Sequence, residues 1–293
     1  MARFYVWTKR QAAAVLLGIV LLTAMGAVTI VLLLGGGQPS VQEEPEAQMV
    51  FAEADLFYTV ETPAPVVDTS LRVEVIRSTQ QPPLAGKQVL IYHTHTWEAF
   101  AQVEDAPYVE TEKWRTKDNT ANMVAVGDAL TAALEAMGCT VVHDETAFEP
   151  PELSTAYQRS LEMLEARVAA GESYDLYIDL HRDAVASNST IKRTVNVAGE
   201  ELARFMVLVG KGQTYADQPD WQANYAVAEK ITASMNGQVE GLCRDIKVKT
   251  GRFNQHIAPR CVLIECGLNY NTLEQVMNGV PYLAQAIADA LAE

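Results

Sequence analysis

The chain has 293 residues, 49% of them hydrophobic and 20% charged, with 22 Lys and Arg against 37 Asp and Glu for a formal charge of −15. Such an apolar composition excludes a disordered chain, and the acidic balance excludes a protein that wraps nucleic acid. The length allows one large domain or two small ones.

Arg3, Lys9 and Arg10 are the only charged residues among the first forty. Residues 12–34 are almost wholly apolar. As a helix, at about 1.5 Å per residue, this run would span roughly 34 Å, against a bilayer core of about 30 Å. The pattern predicts an N-terminal transmembrane helix. The positive-inside rule keeps its basic head cytoplasmic and puts everything after Gly35-Gly36-Gly37 across the membrane. The competing reading is a cleaved signal peptide with its small residues at 24–27, although the apolar stretch is about twice the usual 7–15 residues. Residues 1–37 are therefore read as the head and anchor of a single-pass cell-membrane protein. Residues 38–84, rich in Pro, Glu and Gln, read as an acidic stalk. Residues 85–293 read as one extracytoplasmic domain.

Within that domain Gln88–Tyr92 is a short apolar run that predicts a buried strand. A helix is predicted over 118–137, with Asp118 at its start as either a cap or a metal ligand and Gly138 at its end. A strand follows over 139–142, then a helix over 155–170 between Ser154 and Gly171. A third strand covers 174–180, and 193–197 with 204–209 predict a hairpin turning at Gly199. A helix over 221–235, a strand within 242–249, a central strand over 261–266 and a last helix reaching Leu291 complete the pattern. Strands alternating with helices imply an α/β fold, a central, mostly parallel (mixed) sheet flanked by helices on both faces. Cys139, Cys243, Cys261 and Cys266 contain no Cys-x-x-Cys pair and read as buried free thiols rather than a zinc ribbon.

The chemistry gathers at strand ends, where active residues collect in such folds. Of five histidines, His93 and His95 end the first strand in Tyr92-His-Thr-His-Thr-Trp-Glu98, and His181 ends the third in Asp179-Leu-His-Arg-Asp183. Catalytic zinc takes three protein ligands, often two His and one Glu, and keeps a position open. His93, His95, Glu98 and His181 are the candidate ligands, and an extended chain would put His93 and His95 on one face. His143 and His256 read as solvated. Glu265 interrupts the apolar run 262–264, where a charge costs several kcal/mol by rough estimate unless it is paired or functional. It is the candidate general base, the alternative being an ion pair with Arg182, Arg252 or Arg260.

These motifs, with Arg252-Phe-Asn-Gln255, Leu263-Ile-Glu-Cys-Gly267 and Asn271-Thr-Leu-Glu274, resemble the stage II sporulation protein P family, which belongs with the zinc-dependent N-acetylmuramoyl-L-alanine amidases. The resemblance runs in order from about residue 85 to the end, with an N-terminal anchor as in the family. It implies a peptidoglycan hydrolase that cleaves the amide between N-acetylmuramic acid and L-alanine, with endopeptidase action on cross-links in some members. It also implies septal wall degradation during spore engulfment, alongside stage II sporulation proteins D and M. His93, His181 and a nearby Glu are the zinc-site residues it implies, and Glu265 the catalytic glutamate. Which of His95, Glu98 and Asp118 completes the shell stays open. Trp97 and His256 depart from the family pattern and bear on the binding groove.

The mechanism expected from this is attack by a zinc-polarised water whose proton Glu265 accepts. Arg182 or Asn254 would help hold the oxyanion. Arg182 could equally pair with Asp183 or Asp179, and Asn254 with Gln255 could cap a turn. Two other functions compete: a zinc peptidase acting on stem or cross-link peptides, which the His95-x-x-Glu98 spacing allows, and a non-catalytic membrane-tethered scaffold for wall enzymes. Its acidity gives the domain no electrostatic attraction to anionic wall polymers.

Overall fold

A computed structural model describes residues 82–213 and 221–292. The expected anchor and stalk lie outside the described residues. Among the described residues no helix is long and apolar enough to cross a membrane. The compact unit that holds the predicted chemistry runs Pro82–Glu293.

The first strand, β1 (Gln88–Tyr92), buries four consecutive apolar residues, as a strand covered on both faces must. A long connection leads to helix α1 (Met123–Ala136), which starts five residues later than predicted. Its cap is Asn122, whose side chain accepts the Val124 N–H at 2.9 Å. Asp118 instead closes a local turn on Thr120 N and Oγ1 at 2.9 and 2.7 Å, so it does not cap the helix.

Strand β2 (Thr140–Asp144) and helix α2 (Ala156–Ala169) follow, then β3 (Leu176–Asp183). The predicted hairpin is corrected: β4 (Thr194–Val197) pairs antiparallel with β5 (Glu200–Ala203) around Gly199. The apolar run predicted as its second arm is a separate strand, β6 (Phe205–Gly210), buried throughout. Helix α3 (Trp221–Gln238), the three-residue β7 (Lys247–Lys249) and β8 (Cys261–Leu268) come next. The predicted last helix is two, α4 (Leu273–Met277), opened by a Thr272–Gln275 capping box, and α5 (Val280–Leu291).

The main sheet runs β2-β1-β3-β8-β6-β7. Every neighbouring pair is parallel except β8 with β6, which is antiparallel. This is the mostly parallel, mixed sheet expected from the sequence. Side chains alternate along a strand, and Leu90, Tyr92, Tyr177 and Cys261 face Leu164 of α2. Helices α1, α3 and α5 pack together on the other face. All four cysteines are buried and unlinked.

Candidate active site

The parallel register of β1, β3 and β8 decides which residues meet. His181 on β3 stands directly beside Glu265 on β8. Beyond Tyr92 the chain leaves β1 and turns over residues 94–97. The turn carries His95 and Glu98 onto the face that holds His181. His181 Nδ1 lies 3.4 Å from Glu98 Oε2. The His95 and His181 rings meet edge to face with centroids 5.3 Å apart. Tyr157, from the first turn of α2, walls the group in, its ring stacked on His181 at 6.4 Å and edge-on to His95 at 5.5 Å.

A buried carboxylate anchors the floor. Asp179 accepts the Thr94 N–H at 2.8 Å and the Thr94 hydroxyl at 2.7 Å. It also lies 2.8 Å from His181 Nε2, a charge contact without hydrogen-bond alignment, because Nε2 has no hydrogen-bond partner. His95 Nδ1 and Glu265 Oε2 are likewise buried and unpartnered. Three unpaired buried polar atoms in one place are exceptional, since such groups are nearly always satisfied.

The electrostatics follow from burial and neighbours. Burial pushes the Glu265 carboxyl up to about 8, with His181 opposing and Glu98 adding to the rise. Burial would also raise Glu98, but the hydrogen bond and charge of His181, with Arg182, hold it down to about 2. Burial, then the neighbouring His181, lowers His95 to about 4. Burial works against a charged His181 too, yet the Asp179 and Glu98 carboxylates outweigh it and raise that ring well above its ordinary range.

His93 is placed elsewhere. It ends β1 on the opposite side, wholly buried, with Nδ1 3.0 Å from Leu180 O and Nε2 2.8 Å from His143 Nε2. The expectation that alternation would align it with His95 assumed an extended chain, and the turn at 94–97 breaks the parity. His143 is therefore not solvated; only 7% of its side chain is exposed. His256 also has a buried, unpartnered Nδ1. The guanidinium of Arg182 is committed to the loop over residues 99–114, donating to Ala99 O at 2.8 Å and Trp114 O at 3.1 Å, while its backbone N–H donates to Glu98 Oε2 at 3.2 Å. It pairs with neither Asp183 nor Asp179 and leaves the cluster. Asn254, in a left-handed conformation at φ +56°, donates to Tyr157 O at 2.8 Å and Ser160 Oγ at 3.0 Å, bracing α2. Gln255 continues the β6 ladder by accepting the Gly210 N–H at 2.9 Å and donating to Leu208 O at 2.9 Å.

Sequence reasoning missed Asp179, Tyr157 and Glu149. Glu149 is buried, accepts the Trp97 N–H at 3.0 and 3.1 Å, and pairs with Arg115. Its carboxyl is pushed up to about 7 by burial against the pull of Arg115. It lines a cleft of about 400 Å³ with Trp97, Arg115, Lys117 and Leu153, and its Oε1 lies 4.0 Å from His95 Nδ1.

His95, Glu98 and His181 offer two imidazoles and one carboxylate, the donor set of catalytic zinc. The unpartnered Nδ1 of His95 and the 3.4 Å approach of Glu98 Oε2 to His181 Nδ1 fit a cation, since two ligands with bonds of about 2.1 Å lie roughly 3 Å apart. Asp179 against the far nitrogen of His181 is the outer carboxylate that such ligands carry. Among the described residues, the trio of donor atoms all within 4.8 Å of one another is a different one: Asp128, His143 and Glu145.

The family model of stage II sporulation protein P matches residues 42–288. No curated protein matches the chain. Among solved structures, the CwlD amidase from Clostridioides difficile, determined with the GerS lipoprotein, is similar at 16% identity and a TM-score of 0.47, over 70% of this chain and 96% of that one. The N-acetylmuramoyl-L-alanine amidase AmiC2 of Nostoc punctiforme is similar at 15% identity and a TM-score of 0.41, over 71% and 96%. An N-acetylmuramoyl-L-alanine amidase from Clostridium difficile 630 is similar at 17% identity and a TM-score of 0.42, over 70% and 94%.

Proposed function

The chain belongs to the stage II sporulation protein P family, and from that premise we propose that it is a peptidoglycan hydrolase cleaving the amide between N-acetylmuramic acid and L-alanine. The observation that carries the reading is the meeting of His95, Glu98 and His181 beside a buried, unpartnered Glu265. His95, Glu98 and His181 would hold a zinc ion, with Asp179 fixing the His181 ring. Bound there, zinc would supply the Lewis acidity that makes a water nucleophilic near neutral pH.

The chain's own residues do the rest. Glu265 Oε2 takes a proton from the attacking water, whose oxygen bonds to the lactyl carbonyl carbon. The same carboxyl returns that proton to the alanine nitrogen as the carbon–nitrogen bond breaks. Burial suits Glu265 to this work, because a carboxylate pushed towards neutrality is a stronger base. Tyr157 covers the ring face of His181 and keeps bulk water from it. The cleft along Trp97, Arg115 and Lys117 leads to His95 by way of Glu149 and would seat the stem peptide.

The membrane anchor over residues 12–34 and its acidic stalk belong to the same proposal, supported by the uncharged length and the basic residues before it. So do action on septal wall during engulfment and the company of stage II sporulation proteins D and M, supported by the family. The test is digestion of purified wall by the full chain and by Glu265→Gln. The wild type should release muropeptides with free L-alanine amino termini, and the variant should retain zinc while losing at least a hundredfold in rate. Full activity in Glu265→Gln would overturn the general base. Products cut only within peptides, read by mass spectrometry, would replace the amidase by a peptidase.

A further inference from the structure

Neither donor expected for the oxyanion reaches the site. The Arg182 guanidinium is committed to Ala99 O and Trp114 O, and Asn254 Nδ2 to Tyr157 O and Ser160 Oγ. The cluster itself holds the carboxyls of Glu98, Asp179 and Glu265 beside two imidazoles assigned to zinc. An oxygen that gains negative charge among carboxylates needs a donor aimed at it.

Tyr157 is in place to give one. Its ring is fixed on three sides: stacked on His181 at 6.4 Å, edge-on to His95 at 5.5 Å and edge-on to Phe253 at 5.8 Å. Among the described residues its hydroxyl has no hydrogen-bond partner, while its backbone carbonyl accepts from Asn254 Nδ2 at 2.8 Å and from the Ser160 hydroxyl at 3.2 Å. Burial, and after it the charges of Asp179, Glu265 and Glu98, keep the phenol protonated, so the hydroxyl feels the carboxylates of the site and stays a donor.

The loop behind the ring is strained. Phe253 and Asn254 are consecutive residues in the left-handed region, at φ +49° and +56°, where residues other than glycine are uncommon. Such strain persists only where the surroundings over-determine it. Gly210 and Gly251 leave the Phe253 ring its place, since a Cβ on them would come 2.9 and 2.7 Å from it. Both strained residues act on Tyr157, Phe253 on its ring and Asn254 on its carbonyl. The motif Arg252-Phe-Asn-Gln255 thus holds one tyrosine against the two imidazoles.

We propose that the Tyr157 hydroxyl donates a hydrogen bond to the carbonyl oxygen of the scissile amide, with Phe253 and Asn254 as its positioning residues. The inference rests on the hydrolase reading above. As the water oxygen bonds to the carbonyl carbon, the carbonyl π pair moves onto the oxygen, where the phenol meets it. The pair returns when the carbon–nitrogen bond breaks, and the phenol keeps its proton throughout.

The test compares the zinc-loaded full chain, in detergent, with Tyr157→Phe, which keeps every ring contact. On a soluble N-acetylmuramoyl tetrapeptide, kcat should fall about a hundredfold, while KM, zinc stoichiometry and Tm stay as in the wild type. A phosphinate analogue of the lactyl–alanine junction, which carries the tetrahedral oxygen, should lose affinity by a similar factor. Asn254→Ala should lower kcat in the wild-type background and lower it no further in Tyr157→Phe. An active wild type with kcat or analogue affinity unchanged in Tyr157→Phe overturns the inference and leaves the hydrolase reading standing. A fall in kcat matched by loss of zinc or of Tm overturns it too. A wild type that binds zinc yet hydrolyses neither muramoyl amides nor stem peptides defeats the hydrolase reading, and this inference with it.

Discussion

His181 and Glu265 sit side by side on adjacent parallel strands, in register and both buried, with one carboxylate oxygen of Glu265 unpartnered. A fold keeps such an arrangement only at a cost to stability, and that cost can be measured.

In the metal-free protein the Glu265 carboxyl sits near 8, above its ordinary 4.5. The folded form therefore holds a proton that the unfolded chain has released, and stability falls as pH rises from about 4.5 to about 8. Glu265→Gln removes that dependence. Urea midpoints should show the metal-free variant more stable at pH 8, by on the order of a few kcal/mol, with the two proteins alike at pH 4. A gap independent of pH would contradict the assignment.

Gly127→Ala should destabilise, although alanine is the better helix former by about 1 kcal/mol. The added methyl meets the two imidazole nitrogens at 2.3 and 2.8 Å, and overpacking of this kind costs about 1–3 kcal/mol. Chemical denaturation decides the sign.

Arg182→Ala should free the loop over residues 99–114, because two carbonyls lose their donor at about 1–3 kcal/mol each. Lysine, a point charge without the planar fork, should restore little. Hydrogen exchange should quicken in that loop for both variants, and unchanged protection there would show the tether to be idle.

Asp144 is held below the usual carboxylate range: burial acts to raise it, and Arg167 with Thr146 more than offsets this. Its Oδ2 lies 2.7 Å from Arg167 Nη2. A lowered folded value gives stability that is complete above the unfolded pKa of about 3.9 and is lost as pH falls through the folded one. The stability gap between wild type and Asp144→Asn should thus be constant from pH 5 to 7 and shrink below pH 4. Circular dichroism melts across that range provide the check.

The sheet was largely legible because its inner strands read as unbroken apolar runs, and β8 displayed Glu265 as an interruption. The hairpin was misread because β6 has the same apolar look; only its antiparallel pairing with β8 separates it from β4, whose true partner opens with two exposed glutamates. The strand-end motifs carry Glu98 and His181, which meet in the fold, but alternation put His93 on the face of His95, and it lies on the other. Its orientation depends on where the chain stops being extended, and on a gap above Gly127 that only tertiary packing reveals. Glu149 gave no signal beyond a carboxylate before two prolines, since its burial is created by Trp97 and Arg115 from a distant loop.

The four sulfhydryls sealed inside the domain carry a last implication. Nothing covalent ties its strands and helices together, so the same architecture holds on the reducing and the oxidising side of a cell envelope. Assembly then requires no enzyme that forms or reshuffles disulfides.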